Sequence, residues 1–84
     1  MGEASLLMVG VSHRRAAVGL RERVAIAKAD LAGCLQALRA DRSVQECIIV
    51  STCNRTEVYA IMQGAPAAGV RVLEAFLAQR AGMA

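Results

Sequence analysis

The stretch IIVSTCNRTEVYAI, residues 48–61, sets one cysteine, Cys53, among hydrogen-bonding side chains. Ser51 and Thr52 precede it, and Asn54, Arg55 and Thr56 follow. A cysteine acts as a nucleophile through its thiolate, which favours partial exposure and nearby positive charge or hydrogen-bond donors. This run supplies a guanidinium two residues on, donor groups on Thr52 and Asn54, and backbone N–H groups at a turn. Arginine also grips a carboxylate through two parallel hydrogen bonds. The residue types therefore suggest acyl chemistry on a substrate that carries a carboxylate. Serine, threonine and asparagine are equally at home in turns for conformational reasons, so a plain turn with a cysteine in it competes on these residues alone.

The remaining cysteines and the charge narrow the field. Three cysteines, Cys34, Cys47 and Cys53, give an odd count with no C-x-x-C spacing, and the chain has one histidine. That pattern suits neither a disulfide framework nor a zinc site, and it points to a reducing, cytoplasmic compartment with no bound metal. Ten basic against seven acidic residues leave a net charge of +3. The basic residues cluster only at Arg14, Arg15, Arg21 and Arg23, which read as a solvated face. Tyr59 and Phe76 are the only aromatic residues, so the stacking surface of an RNA-binding sheet is missing. The apolar run LLMVGV is too short to span a membrane and lacks the basic start of a signal peptide.

Several elements must position the cysteine loop. Residues 5–12, SLLMVGVS, read as a short, fully buried strand. LRERVAIA places Leu20, Val24 and Ala27 on one helical face. A second helical segment begins near Asp30, with Leu31, Cys34, Leu35 and Leu38 at i, i+3, i+4 and i+7, which makes Cys34 a core residue. Asp41-Arg42-Ser43 breaks that helix. VQECIIVS and EVYAIM are two strands joined by a loop of about five residues, TCNRT, an economical β-hairpin with Cys47 structural inside its first strand. A last helix carries Val70, Leu73, Leu77 and Arg80 along one side, thickened by Val72 and Phe76, and Gly82 is its stop.

The order is β-α(α)-β-β-α, an α/β (α+β) chain of the split β-α-β, ferredoxin-like sandwich type. That fold has a fourth strand after its last helix, and the sequence is expected to lack it. A strand–helix–strand unit makes strands one and two parallel, with the hairpin strand antiparallel to them. The loops after strands one and two then share one edge of the sheet. His13 and Arg14 in SHRR are thereby candidates to neighbour Cys53 and Arg55. His13 has two readings, a helper of the thiolate or a group that orders its own loop, and no catalytic role is assigned to it.

STCNRTEVYA, residues 51–60, closely resembles the active-site signature of the glutamyl-tRNA reductase family. VGVSHRRAAVGLRER, residues 9–23, resembles that family's opening segment, and the two blocks stand in the right order and separation. The resemblance covers nearly the whole chain. It departs at Arg15-Ala16-Ala17, where the family commonly has a Thr-Ala-Pro run, and at Gly19, where it has a glutamate. The resemblance implies NADPH-dependent reduction of glutamyl-tRNA to glutamate-1-semialdehyde, the first step of tetrapyrrole (porphyrin and haem) biosynthesis by the five-carbon route. It implies Cys53 as the catalytic nucleophile that forms a thioester, with Thr52, Asn54 and Arg55 lining the glutamate site.

The same resemblance implies that residues 1–84 form one domain, the amino-terminal part of the catalytic domain. The family's NADPH-binding and dimerisation domains are expected to lie outside these residues, and no G-x-G-x-x-G run occurs among them to hold the nucleotide. Expected partners are glutamyl-tRNA, a second copy in the homodimer, and the downstream glutamate-1-semialdehyde aminotransferase, with no membrane. Alone, these residues are expected to carry the nucleophile and part of the substrate pocket without reductase activity. A different class competes: a small, non-catalytic redox or regulatory module that keeps the fold and uses the thiol as a sensor.

Overall fold

A computed structural model describes residues 3–12 and 18–82. Three strands, β1 (Ala4–Ser12), β2 (Val44–Ser51) and β3 (Arg55–Gln63), form one sheet in the order β1-β3-β2. Three α-helices accompany it: α1 (Val18–Val24), α2 (Leu31–Arg39) and α3 (Pro66–Arg80), with a single 3-10 turn at Lys28–Asp30 ahead of α2. This is an α+β chain of the split β-α-β type. Both β1 and β2 pair antiparallel with β3, so they run in the same direction, as the sequence predicts, but with β3 between them.

The central strand is the one whose sequence alternates most cleanly. Thr56, Val58, Ala60 and Met62 are buried, while Glu57, Tyr59, Ile61 and Gln63 face the other way. The buried row meets Val24, Leu38, Leu73, Leu77 and Ala81 from the helices, and Val44 and Cys47 from β2. Helix α3 packs on β1 and β3, and α2 packs on β2. Val44 and Cys47 sit three residues apart yet both point inward, which a regular strand forbids because its side chains alternate. A register shift between Val44 and Glu46 inserts Gln45 as an extra residue and restores the phase.

Helices cover one face of the sheet among the described residues, and this overturns the reading of residues 5–12 as fully buried. In β1, half-buried residues alternate with exposed ones, and Leu6 (72%) and Met8 (51%) lie on the open face beside Ile48 (61%) of β2. An uninterrupted apolar run does not distinguish a strand buried on both sides from one whose outer face is apolar but open. One boundary also moves: helix α1 stops at Val24, so Ala27 lies outside it, while α2 starts at Leu31, next to Asp30 as expected. Cys47 is buried as predicted, whereas Cys34 is half-buried at the margin of the core. Gly82 does end α3: its φ of 76° is the left-handed conformation that glycine adopts without a Cβ penalty, and its N–H donates to Gln79 O at 3.1 Å.

The turn between α2 and β2 is held by one carboxylate. Asp41 Oδ1 accepts from the Ser43 N–H at 2.9 Å and from the Ser43 hydroxyl at 2.5 Å. These bonds, side chain first and backbone second, favour the ionised form and lower the Asp41 pKa. A depressed folded-state value means that this contribution is present above the ordinary carboxylate pKa and is lost as pH falls through the lower folded value. Ser43→Ala is expected to cost on the order of 0.5 kcal/mol at neutral pH, since the turn faces solvent. Thermal melts should show the difference from the parent chain shrinking as the solution is acidified; a difference that is constant with pH contradicts the assignment.

Candidate functional site

The hairpin between β2 and β3 is tighter than the sequence predicts. Its loop is residues 52–54, three residues, because Arg55 and Thr56 already belong to β3. Ser51 pairs with Thr56 at the last step of the ladder, and the Thr52 N–H donates to Arg55 O at 2.8 Å. The Thr52 hydroxyl oxygen then accepts the N–H groups of Asn54 and Arg55, each at 3.2 Å. Threonine at the first position of a turn makes this kind of local side chain–backbone bond readily. The donors of Asn54 and Arg55, which look available in the sequence, are therefore used inside the loop. Cys53 and Asn54 are exposed at its tip, and Arg55 opens β3.

A second set of bonds fixes the base of the hairpin to the rest of the molecule. Thr56 is 1% exposed, and its hydroxyl lies 3.0 Å from that of Ser51. The Ser51 hydroxyl oxygen also accepts the Ile26 N–H at 2.9 Å, across 25 residues of sequence. A buried hydroxyl without partners would be costly, and here the two satisfy each other and a backbone donor. The segment after α1 is thereby stitched to the hairpin that carries the cysteine. Neither Ser51 nor Thr56 stands out in the sequence as more than a turn residue; the signal for them is their placement at either end of residues 52–55.

On the open face, Arg55, Glu57 and Tyr59 stand in a row along β3. Arg55 Nε lies 3.6 Å from Glu57 Oε1, and the Tyr59 hydroxyl donates to the same oxygen at 2.9 Å. The hydrogen bond to Glu57, then burial and the nearby negative charge, raise the Tyr59 pKa above its ordinary value, while Arg55 pulls it the other way. Sequence reasoning misses Glu57 and Tyr59 because it starts the strand at residue 57. With the strand beginning at Arg55, the period of two puts all three on one face.

Ser12, at the end of β1, is the register partner of Arg55. The carboxyl ends of β1 and β2 thus flank the start of β3, which is the shared edge that the sequence predicts. His13 and Arg14 follow Ser12, and both lie outside the described residues. Thr52, Cys53 and Asn54 form one loop with Arg55 directly after it at the start of β3, and Thr52 is turned to closing the loop. Among the described residues no group of three or more His, Cys, Asp or Glu side chains is arranged to hold a metal ion. No helix described is long and apolar enough to cross a membrane.

Fold and site together define a class: a small α+β layer that presents a thiol at the tip of a closed turn and a guanidinium at the start of the strand that follows it, at one edge of its sheet. Comparison with known proteins carries this to a family. The family model described as Glutamyl-tRNAGlu reductase, N-terminal domain, matches residues 9–84. The chain is 43% identical over 79 residues to a glutamyl-tRNA reductase of Syntrophotalea carbinolica and 44% identical over 79 residues to one of Synechococcus sp. (strain RCC307), in each case covering 94% of this chain and 18% of the relative. It is 42% identical over 78 residues to the enzyme of that name from Geobacillus kaustophilus, covering 93% and 17%. The chain belongs to the glutamyl-tRNA reductase N-terminal domain family, and it spans less than a fifth of the length of these relatives.

The three thiols differ sharply in access: Cys53 is exposed, Cys34 half-buried and Cys47 buried. Alkylation of the folded chain by iodoacetamide, followed by peptide mass spectrometry, should proceed in that order, with Cys47 modified only after unfolding. Equal rates at all three positions contradict the arrangement.

Proposed function

We propose that this chain is the nucleophile-bearing domain of a glutamyl-tRNA reductase, in which Cys53 takes the glutamyl group from its tRNA. The observation that carries the reading is the three-residue loop that exposes Cys53 and places Arg55 at the next strand position, in a chain of this family. Relatives bearing that name support the substrate class and a role at the start of tetrapyrrole synthesis. In glutamyl-tRNA the α-carboxyl is esterified to the ribose and the γ-carboxylate remains ionised. Arg55 is the group to hold that carboxylate, through two N–H donors matched to its two oxygens.

The acyl step balances simply. The Cys53 thiolate attacks the α-carbonyl carbon, a C–S bond forms, and the C–O bond to the ribose breaks. The ribose oxygen leaves as an alkoxide and takes a proton from solvent to become the free tRNA hydroxyl. Sulfur suits this task because it is a strong nucleophile near neutral pH, and the resulting thioester is more open to hydride attack than an oxygen ester. Asn54, exposed beside Cys53, supplies a donor within the same loop, and Thr52 contributes by holding the loop closed.

In the family's reaction NADPH supplies the hydride that turns the thioester into an aldehyde. The residues present do not fit that cofactor. The turn from β3 into α3 holds one glycine, Gly64, and α3 begins with proline, which has no N–H to offer a phosphate. No step on this chain is therefore routed through the nucleotide. Homodimerisation, association with the downstream aminotransferase and a cytoplasmic location belong to the same proposal.

Incubating the chain with radiolabelled glutamyl-tRNA, without NADPH, and quenching in acid tests the acyl step. The account predicts label on the protein that hydroxylamine releases. Cys53→Ser abolishes it, while Cys34→Ser and Cys47→Ala leave at least half. Label that persists in Cys53→Ser, or that maps to Cys34 or Cys47, overturns the assignment.

A further inference from the structure

Tyr59 is the chain's single tyrosine, and its hydroxyl takes no part in the core. It sits on the open face of the central strand and donates to Glu57 Oε1, the same oxygen that faces Arg55 Nε. Three alternate residues of β3 therefore form a line that runs toward the loop bearing Cys53. Access is graded along it, since the side chain of Glu57 is 19% exposed and that of Arg55 53%. The neighbouring strand makes room for the middle member. Gly10 is the register partner of Glu57, and a Cβ at Gly10 would come within 2.9 Å of Glu57 Cγ and 3.2 Å of Thr56 O.

We propose that Tyr59 is a positioning residue: by fixing the Glu57 carboxylate it orients the Arg55 guanidinium so that its outer edge meets the substrate's γ-carboxylate beside Cys53. This rests on the reading of the chain as an acceptor of the glutamyl group. Glu57 meets the guanidinium through Nε, so the edge formed by Nη1 and Nη2 is not used by this contact. That edge can pair with a carboxylate through two parallel bonds. The plane of a guanidinium is set by whatever holds Nε, and a solvent-facing ion pair holds weakly by itself. A second bond, the 2.9 Å donation from the Tyr59 phenol, stops the carboxylate from turning away. Orientation paid in advance in this way lowers the ordering cost when substrate binds.

The experiment is glutamyl transfer to Cys53 in the chain as it stands, followed against glutamyl-tRNA concentration. Tyr59→Phe should raise the half-saturating concentration about tenfold, the factor that accompanies loss of one hydrogen bond to a charged group, and leave the saturating rate within about twofold. Arg55→Lys should raise it further, and adding Tyr59→Phe to Arg55→Lys should add nothing, because the two act in series. Gly10→Ala, which crowds Glu57 from β1, should shift the same way as Tyr59→Phe. An unchanged half-saturating concentration in Tyr59→Phe, with Arg55→Lys impaired, overturns this inference and leaves the acyl-transfer reading standing.

Absence of transfer in the unsubstituted chain overturns the acyl-transfer reading instead. The three-residue line is then judged by the ultraviolet titration of the single phenol, which needs no substrate. Glu57→Gln should bring that titration down toward the ordinary tyrosine range, and Arg55→Gln should raise it further. A titration that neither substitution moves removes the line as well.

Discussion

One hydroxyl closes the loop on which the site depends. Thr52 Oγ1 takes the N–H groups of Asn54 and Arg55, so a three-residue connection keeps its shape although its tip is in water. Two neighbouring backbone donors are satisfied without a cap from elsewhere in the molecule. The consequence is geometric: with residues 52–54 closed, the backbone positions from which Cys53 and Arg55 project are set relative to one another. Just below, Ser51 and Thr56 lock the last rung and tie it to the Ile26 N–H. Arg55 lies on the loop side of this lock, and its pairing with Ser12 of β1 brings it into β3. A loop of three places it on the strand.

The sheet then divides the labour. The face of β3 under the helices carries Thr56, Val58, Ala60 and Met62, and these hold the hairpin in the core. The other face carries Arg55, Glu57 and Tyr59, which hold each other. Strict alternation in one strand thus supplies both an anchor and a row of polar side chains on the open face. On the same open face β1 places Gly10, which is small where Glu57 needs room, with Leu6 and Met8 exposed further along.

Much of this is legible in the residues. The element order, the hairpin, the stop at Gly82 and the shared edge after β1 and β2 follow from periodicity and turn chemistry, and the family from the STCNRTEVYA and opening blocks together. What escapes has physical causes. Burial of β1 depends on how many helices are available to cover a sheet, which its own sequence does not state. The loop length depends on whether Arg55 and Thr56 join the ladder, and polar residues give no hydrophobic phase by which to decide. Once the strand start is misplaced by two residues, Glu57 and Tyr59 lose their connection to Arg55. The role of Thr52 is a case of two competing uses for one hydroxyl, lining a pocket or closing a turn, and only coordinates show which groups it meets.

The rigidity of that loop in the unliganded chain is the claim on which the account stands, and backbone amide ¹⁵N relaxation measures it directly. Order parameters for residues 52–55 should match those of the flanking strands, about 0.85. Values below about 0.6 at Cys53 and Arg55 would mean that the turn is not closed, and that thiol and guanidinium are not held as a pair before substrate arrives.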